Sequence, residues 1–336
     1  MRTRTICFAL LATFLTGSAA RSLAGEESAA GIRGPVVGYV LDAARQAIRP
    51  INGVLGSSSL GQPLALTFPV AAAAFSPQGD FVLTISASDD PPAYVLRNLG
   101  GTVNIGRIEG AISGADQVFL NADATIGALL GSHDRRLQLV RGLPNTPAAE
   151  PPLDLSSIPA TITAVAVDRA GENILIAISA EHGALYLASA DPPIPPRLIA
   201  SFGSPTGLAL LNGDQDVIVA DAAVNELVLV RSFAGTPAVF RLAGERDGIS
   251  GPVGLWISPD RRKIYIANGK SRRLDIWDSQ AQSIEASFPL DAEPTRLTPF
   301  KGSSTFVLNN TGDHPLLLLD AAVDPAVYFV PADRNR

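Results

Sequence analysis

The chain carries three histidines, His133, His182 and His314, each beside a carboxylate: Asp134, Glu181 and Asp313 respectively. An imidazole next to a carboxylate can ligate a divalent metal, move protons near neutral pH or attract a cationic group. All three histidines fall between the second and third strands of repeated four-stranded units. Asp89, Asp90, Asp221, Asn225, Asn268 and Lys270 stand in equivalent turns. Turns of one class emerge on one face, and Glu245, Arg246, Asp247, Asp291 and Glu293, between successive units, should emerge beside them. His133, Glu181 and His182 come from adjacent units and form the most compact subset for a metal, because zinc–nitrogen bonds of about 2.0 Å require ligands that converge. The same residue types also suit solvated turns, whose backbone groups need polar partners.

Other catalytic signatures are absent. The sequence has no His-Glu-x-x-His, no Walker loop and no Gly-x-Ser-x-Gly; Gly56-Ser57-Ser58-Ser59-Leu60 lacks the last glycine. Asp214-Gln215-Asp216 spaces two carboxylates as part of a calcium loop would, without the remaining ligands or the loop glycine. Asp191, Asp278 and Asp320 end third strands, where aspartate closes Asx turns. Trp256 and Trp277 lie on predicted strands and are expected to pack in the core.

Positioning these residues falls to elements that the rest of the chain specifies. Of 336 residues 46% are apolar and 17% charged, enough for a large core and too greasy for a disordered tail. Arg2 and Arg4 precede the apolar stretch Ile6 to Leu15, and small residues follow, so residues 1–25 are expected to be a secretory signal peptide and 26–33 a flexible lead-in. The stretch is shorter than the roughly 20 residues that span a bilayer, and no stable membrane span is expected after cleavage. Cys7, the single cysteine, lies in this stretch, so thiol chemistry and disulfides drop out of the mature protein. Loss of Arg2, Arg4 and Arg21 makes the net charge of −6 three units more negative. An acidic chain whose basic clusters (Arg135-Arg136, Arg261-Arg262-Lys263, Arg272-Arg273) are short and scattered is not expected to bind nucleic acid.

Apolar runs of Val, Ile and Leu recur along residues 34–333, separated by Gly, Pro, Asn and Asp. Their first turns fall near Pro77, Asp123, Asp168, Asn212, Pro259 and Gly302, a spacing of about 45 residues that suits four-stranded propeller blades. Ile174 to Ile178, Val217 to Val219 and Leu316 to Leu319 are continuously apolar, so both faces must be covered. Radially stacked blades cover both; a sandwich leaves one face of each sheet wet. The parallel α/β alternative needs helices of about ten residues or more, and the helix-like windows, Leu41 to Ala47 and Asp221 to Leu227, are too short. The expected fold is therefore an all-β propeller, seven-bladed with an incomplete first blade, or six-bladed with a packed hairpin. Val37 to Asp42 reads as a third strand, and Gly56 to Gly61 as a linker.

Two copies resemble named repeats. Gly254-Leu255-Trp256-Ile257-Ser258-Pro259-Asp260, with Lys263 to Asn268 and Leu274 to Asp278, resembles the YVTN repeat of secreted and surface-layer propellers. Val217-Ile218-Val219-Ala220-Asp221 with Asn225 to Val228 is similar to an NHL repeat. The resemblance implies the fold; its functions range from lactone-opening enzymes and lyases, some holding calcium or a similar ion in the central funnel, to plain binding scaffolds.

The expectation that follows is an exported monomeric scaffold, without a cofactor. It would present His133, Asp134, Glu181, His182, Asp221, Asn225, Asn268, Lys270, Asp313 and His314 to a protein, peptide or glycan. The alternative is a lactonase- or lyase-like enzyme using calcium or another divalent metal in the funnel.

Overall fold

The computed structural model describes residues 34–332, apart from 89–92, 159, 191–192, 212, 259, 303, 313 and 323. The expected signal peptide and lead-in lie outside the described residues, as do Asp89, Asp90, Asp191 and Asp313. Seven antiparallel sheets follow one another along the chain, each built from consecutive strands. They form a seven-bladed β-propeller. Among the described residues the helical content is one 3₁₀ turn, Glu245–Asp247, and no helix is long and apolar enough to cross a membrane.

Continuous greasiness is explained by where alternate residues go. In the second strand of blade 4, Ile174, Ile176 and Ile178 pack with Leu137 and Leu139 of blade 3. Leu175 points the other way, into a cluster with Val217 and Val219 of blade 5. Successive side chains on a strand face opposite sides of its sheet, so a strand between two blades needs an apolar residue at every position. Outer strands have no such duty: Val239 and Phe240 of Ala238–Ala243 and Leu198 of Pro193–Phe202 are exposed.

First strands line the axis: Val70–Phe75, Gln117–Leu120, Thr161–Val167, Pro205–Leu211, Pro252–Ile257 and Thr298–Lys301. Glycines let them approach. A Cβ on Gly254 would lie 2.8 Å from the backbone nitrogen of Leu297 in the next blade, closer than any tolerated contact. Gly254→Ala must push two first strands apart and is expected to lower the unfolding free energy by about 1–3 kcal/mol in urea titrations, with an unchanged slope.

Blade 1 departs from the sequence reading twice. It has three strands, Val36–Asp42, Ala47–Val54 and Ser57–Leu60. The segment Gly56 to Gly61, expected as a linker, contributes the third: Ser58 to Leu60 pair with Ile51 to Gly53. An edge strand is covered on few sides, so serines can occupy it without an apolar signal in the sequence.

Val36–Asp42, expected as a third strand, takes the place of a second strand. The turn after it lies with the second turns: Gln46 accepts the Val70 backbone N–H at the start of blade 2, and Thr311, in the second turn of blade 7, donates to the Leu41 carbonyl. Among the described residues the blade therefore has no first strand. Val36–Asp42 itself packs on the first strands of blades 7 and 2 and so closes the ring.

Candidate functional site

The second-turn face is built by hairpins of one design. Several second strands end in a polar residue, among them Ser86, Ser179, Asp221 and Asn268, and three of the turns close with a left-handed residue: Arg135 (φ 52°), Asn225 (φ 55°) and Arg272 (φ 51°). Of the expected site residues, His133, Asp134, Glu181, His182, Lys270 and His314 are exposed here. The others serve the backbone. Asp221 is 2% exposed and accepts the N–H groups of Gly203 at 2.6 Å and Ser204 at 2.8 Å. Asn225 accepts the Gly251 N–H at 2.8 Å, tying blade 5 to the entry of blade 6. Asn268, fully buried, accepts the Ser250 N–H at 2.9 Å and donates to Asp275 at 2.7 Å.

These bonds answer a general requirement: connections entering the next blade carry backbone N–H groups that strand pairing does not satisfy. In blades 5 and 6 a carboxylate or amide oxygen at the end of the second strand meets it. Burial thus takes Asp221 and Asn268 away from any ligand, while the histidines stay in solvent. Among the described residues, no three histidine, cysteine or acidic side chains come close enough to hold a metal ion.

The other acids picked out in the sequence are also engaged in turns. Asp278 accepts the N–H groups of Gln280 and Ala281, and Asp320 that of Ala322, as the Asx-turn reading requires. Asp214 accepts the Arg169 N–H and Asp216 the Ser232 N–H, so the calcium-like spacing serves loop closure.

Three carboxyls at the surface are held below their ordinary value. Backbone N–H groups of Ala281 and Gln280 do this for Asp278, the Ser258 hydroxyl and then the Arg262 N–H for Asp260, and the Ser156 N–H and hydroxyl for Asp154. A group whose folded value is depressed contributes stability above its unfolded value and loses it as pH falls through the folded one. Carbon-13 carboxyl titrations are therefore expected to place all three midpoints below 3.8; midpoints at or above that value would contradict the assigned bonds.

A second concavity lies on the axis. It has a volume of about 410 Å³ and is walled by the first strands of blades 2 to 7, including Ala73, Val118, Val165, Ala209 and Ile257. Pro77, Asn121 and Ala122, in the first turns, line one end. Arg296, which precedes the first strand of blade 7, lines it from the opposite end of these parallel-running strands. The sequence reading passed over this arginine. Its signal was the comparison of copies: Pro205-Thr206-Gly207-Leu208 and Pro252-Val253-Gly254-Leu255 become Pro294-Thr295-Arg296-Leu297.

Comparison with solved structures shows the fold. Kuenenia stuttgartiensis hydrazine synthase superposes with a TM-score of 0.63 at 12% identity, over 85% of this chain and 92% of that one. A candidate 6-phosphogluconolactonase from Bacteroides fragilis gives 0.59 at 11%, over 89% and 95%. A chain of the mitotic checkpoint complex gives 0.54 at 11%, over 100% and 91%. At such identities the likeness concerns the propeller alone. No family model and no curated protein matches the sequence.

Proposed function

We propose that this protein is an exported, monomeric propeller of the YVTN/NHL type that binds a protein, peptide or glycan across its second-turn face. The observation that carries the reading is the division of labour on that face. Buried Asp221 and Asn268 fix the loops, while His133, Asp134, Glu181, His182, Lys270 and His314 stand exposed on several blades without converging on a point. Dispersed polar groups on rigid hairpins suit recognition of an extended surface; catalysis needs a cluster within hydrogen-bond reach. Propeller neighbours from multi-protein assemblies support a protein ligand. The reading requires no metal, and the acidic chain does not suit nucleic acid.

The test combines two measurements. Candidate ligands from envelope protein, peptide and glycan fractions are assayed against the native protein and His133→Ala/His182→Ala/Lys270→Ala. Binding is expected to fall at least ten-fold with the melting temperature unchanged, since all three side chains are exposed. Stoichiometric bound metal in the native protein, together with chelator-sensitive opening of a lactone, would replace this reading with the enzymatic one.

A further inference from the structure

The axial cavity holds a cation whose charge has no acidic partner among the described residues. Arg296 is the one charged residue among those lining it. Its Nε donates to the Asn309 carbonyl at 3.2 Å; among the described residues no carboxylate pairs with the guanidinium. Desolvation alone brings its pKa down to about 10, so it remains charged at neutral pH without an opposite charge to offset the burial.

A second polar group is also left over. Trp256 lines the same cavity, and its buried indole Nε1 has no hydrogen-bond partner. Native proteins rarely bury a donor without an acceptor, so each such group calls for an explanation. Both leftover groups are donors, but the indole Nε1 is covered by packing against the blade 6 and 7 cluster, so the guanidinium is the donor the cavity offers.

The position is built into the ring. In blades 5 and 6 the equivalent residue is glycine, because the next first strand lies against it: the Gly207 Cβ position is 3.4 Å from the Leu255 nitrogen, and that of Gly254 is 2.8 Å from the Leu297 nitrogen. After Arg296 the ring continues with blade 1, which among the described residues has three strands and no first strand. A long side chain is therefore accommodated at a level where its counterparts have none.

We propose that the axial cavity is a binding site for a small amphiphilic monocarboxylate, whose carboxylate pairs with Arg296 while its apolar body lies along Ala73, Val118, Val165, Ala209 and Ile257. Arginine matches a carboxylate in charge and geometry, and an aliphatic wall with few polar groups suits the remainder. The volume of about 410 Å³ lies in the range of small-molecule pockets. The ligand enters from the first-turn end, past Pro77 and Ala122. This site is separate from the second-turn face and does not rest on it.

Calorimetric titration with octanoate, octanamide and acetate tests the proposal. Octanoate is expected to bind one to one, with octanamide and acetate at least ten-fold weaker, because one lacks the charge and the other the apolar body. Arg296→Met should remove the preference of octanoate over octanamide, and Arg296→Lys should retain part of it. Thermal melts of both variants establish that they are folded. Failure of octanoate to bind the native protein, equal binding of octanoate and octanamide, acetate binding as tightly as octanoate, or an octanoate affinity unchanged by Arg296→Met would each overturn it. His133→Ala/His182→Ala/Lys270→Ala should bind octanoate as the native protein does, which keeps this result apart from the fate of the loop face.

Discussion

Replacing Arg49 by methionine is expected to lower the unfolding free energy by about 3 kcal/mol, the scale measured when one partner of a buried ion pair is removed. Arg49 is 4% exposed and Asp42 7%. Nη1 of Arg49 donates to Asp42 at 3.0 Å and Nε to the Gly61 carbonyl at 2.8 Å. One side chain thus joins the inner strand of blade 1 to the segment that leaves it. With methionine there, the Asp42 carboxylate keeps a distant partner in Arg45 at 3.6 Å, and the Gly61 carbonyl loses its side-chain donor.

The loss falls where the ring is weakest in strands. Among the described residues blade 1 contributes three, and its inner strand packs on the first strands of blades 7 and 2, whose first turns also meet where the Gly302 N–H donates to the Pro77 carbonyl. Hydrogen exchange should accordingly quicken first in residues 36–60. Asp42→Asn combined with Arg49→Met is expected to recover part of the stability, since it removes the stranded charge; urea unfolding of the two single variants and the double variant measures the coupling. A double variant less stable than the additive sum would show that the pair is not acting through charge.

Arg296→Met is expected to act in the opposite direction. Deleting a ligated, structural arginine destabilises a protein, whereas deleting a buried cation without an acid removes a desolvation cost and leaves apolar packing in its place. The unliganded protein should gain about 1–3 kcal/mol, seen as a melting temperature higher by several degrees. The bond lost is a single donation from Nε to the Asn309 carbonyl, and that carbonyl is the smaller term. Stability gained by removing a residue is the usual signature of a group retained for binding instead of folding. A melting temperature lowered by Arg296→Met would make the arginine a structural element and withdraw its anion-binding role.

Much of the fold could be read from the residues because a propeller enforces a strong rule. Strands that face a neighbouring blade on both sides must be apolar throughout, and Ile174–Ser179 and Asp216–Asp221 announce this plainly. The rule weakens at edges. Ser57–Leu60 carries no greasy signature, and the outer strand of blade 3 is split into Ala148–Ala149 and Leu153–Asp154 around Pro151-Pro152, which have no N–H to donate. Gln138 makes good part of the gap by donating to the Glu150 and Gly110 carbonyls.

The site was less legible. His133, His182, Lys270 and His314 are exposed in second turns, but residue type does not distinguish a ligand-binding carboxylate from one that caps backbone N–H groups. Asp221 and Asn268 proved to be of the second sort. Arg296 went unnoticed for a different reason: a single arginine is an ordinary surface residue until the glycines at equivalent places reveal that the position abuts the axis.

Site-specific photo-crosslinking tests the central claim most directly. A benzophenone side chain is placed in turn at His133, His182 and Lys270 on the second-turn face, and at Asp123, Glu172 and Arg261 in first turns, all exposed. The account predicts one discrete adduct, formed from the first set in the organism and absent from the second. Adducts of equal yield from both ends, or none from the second-turn face while the purified protein opens a lactone in a chelator-sensitive way, would contradict it.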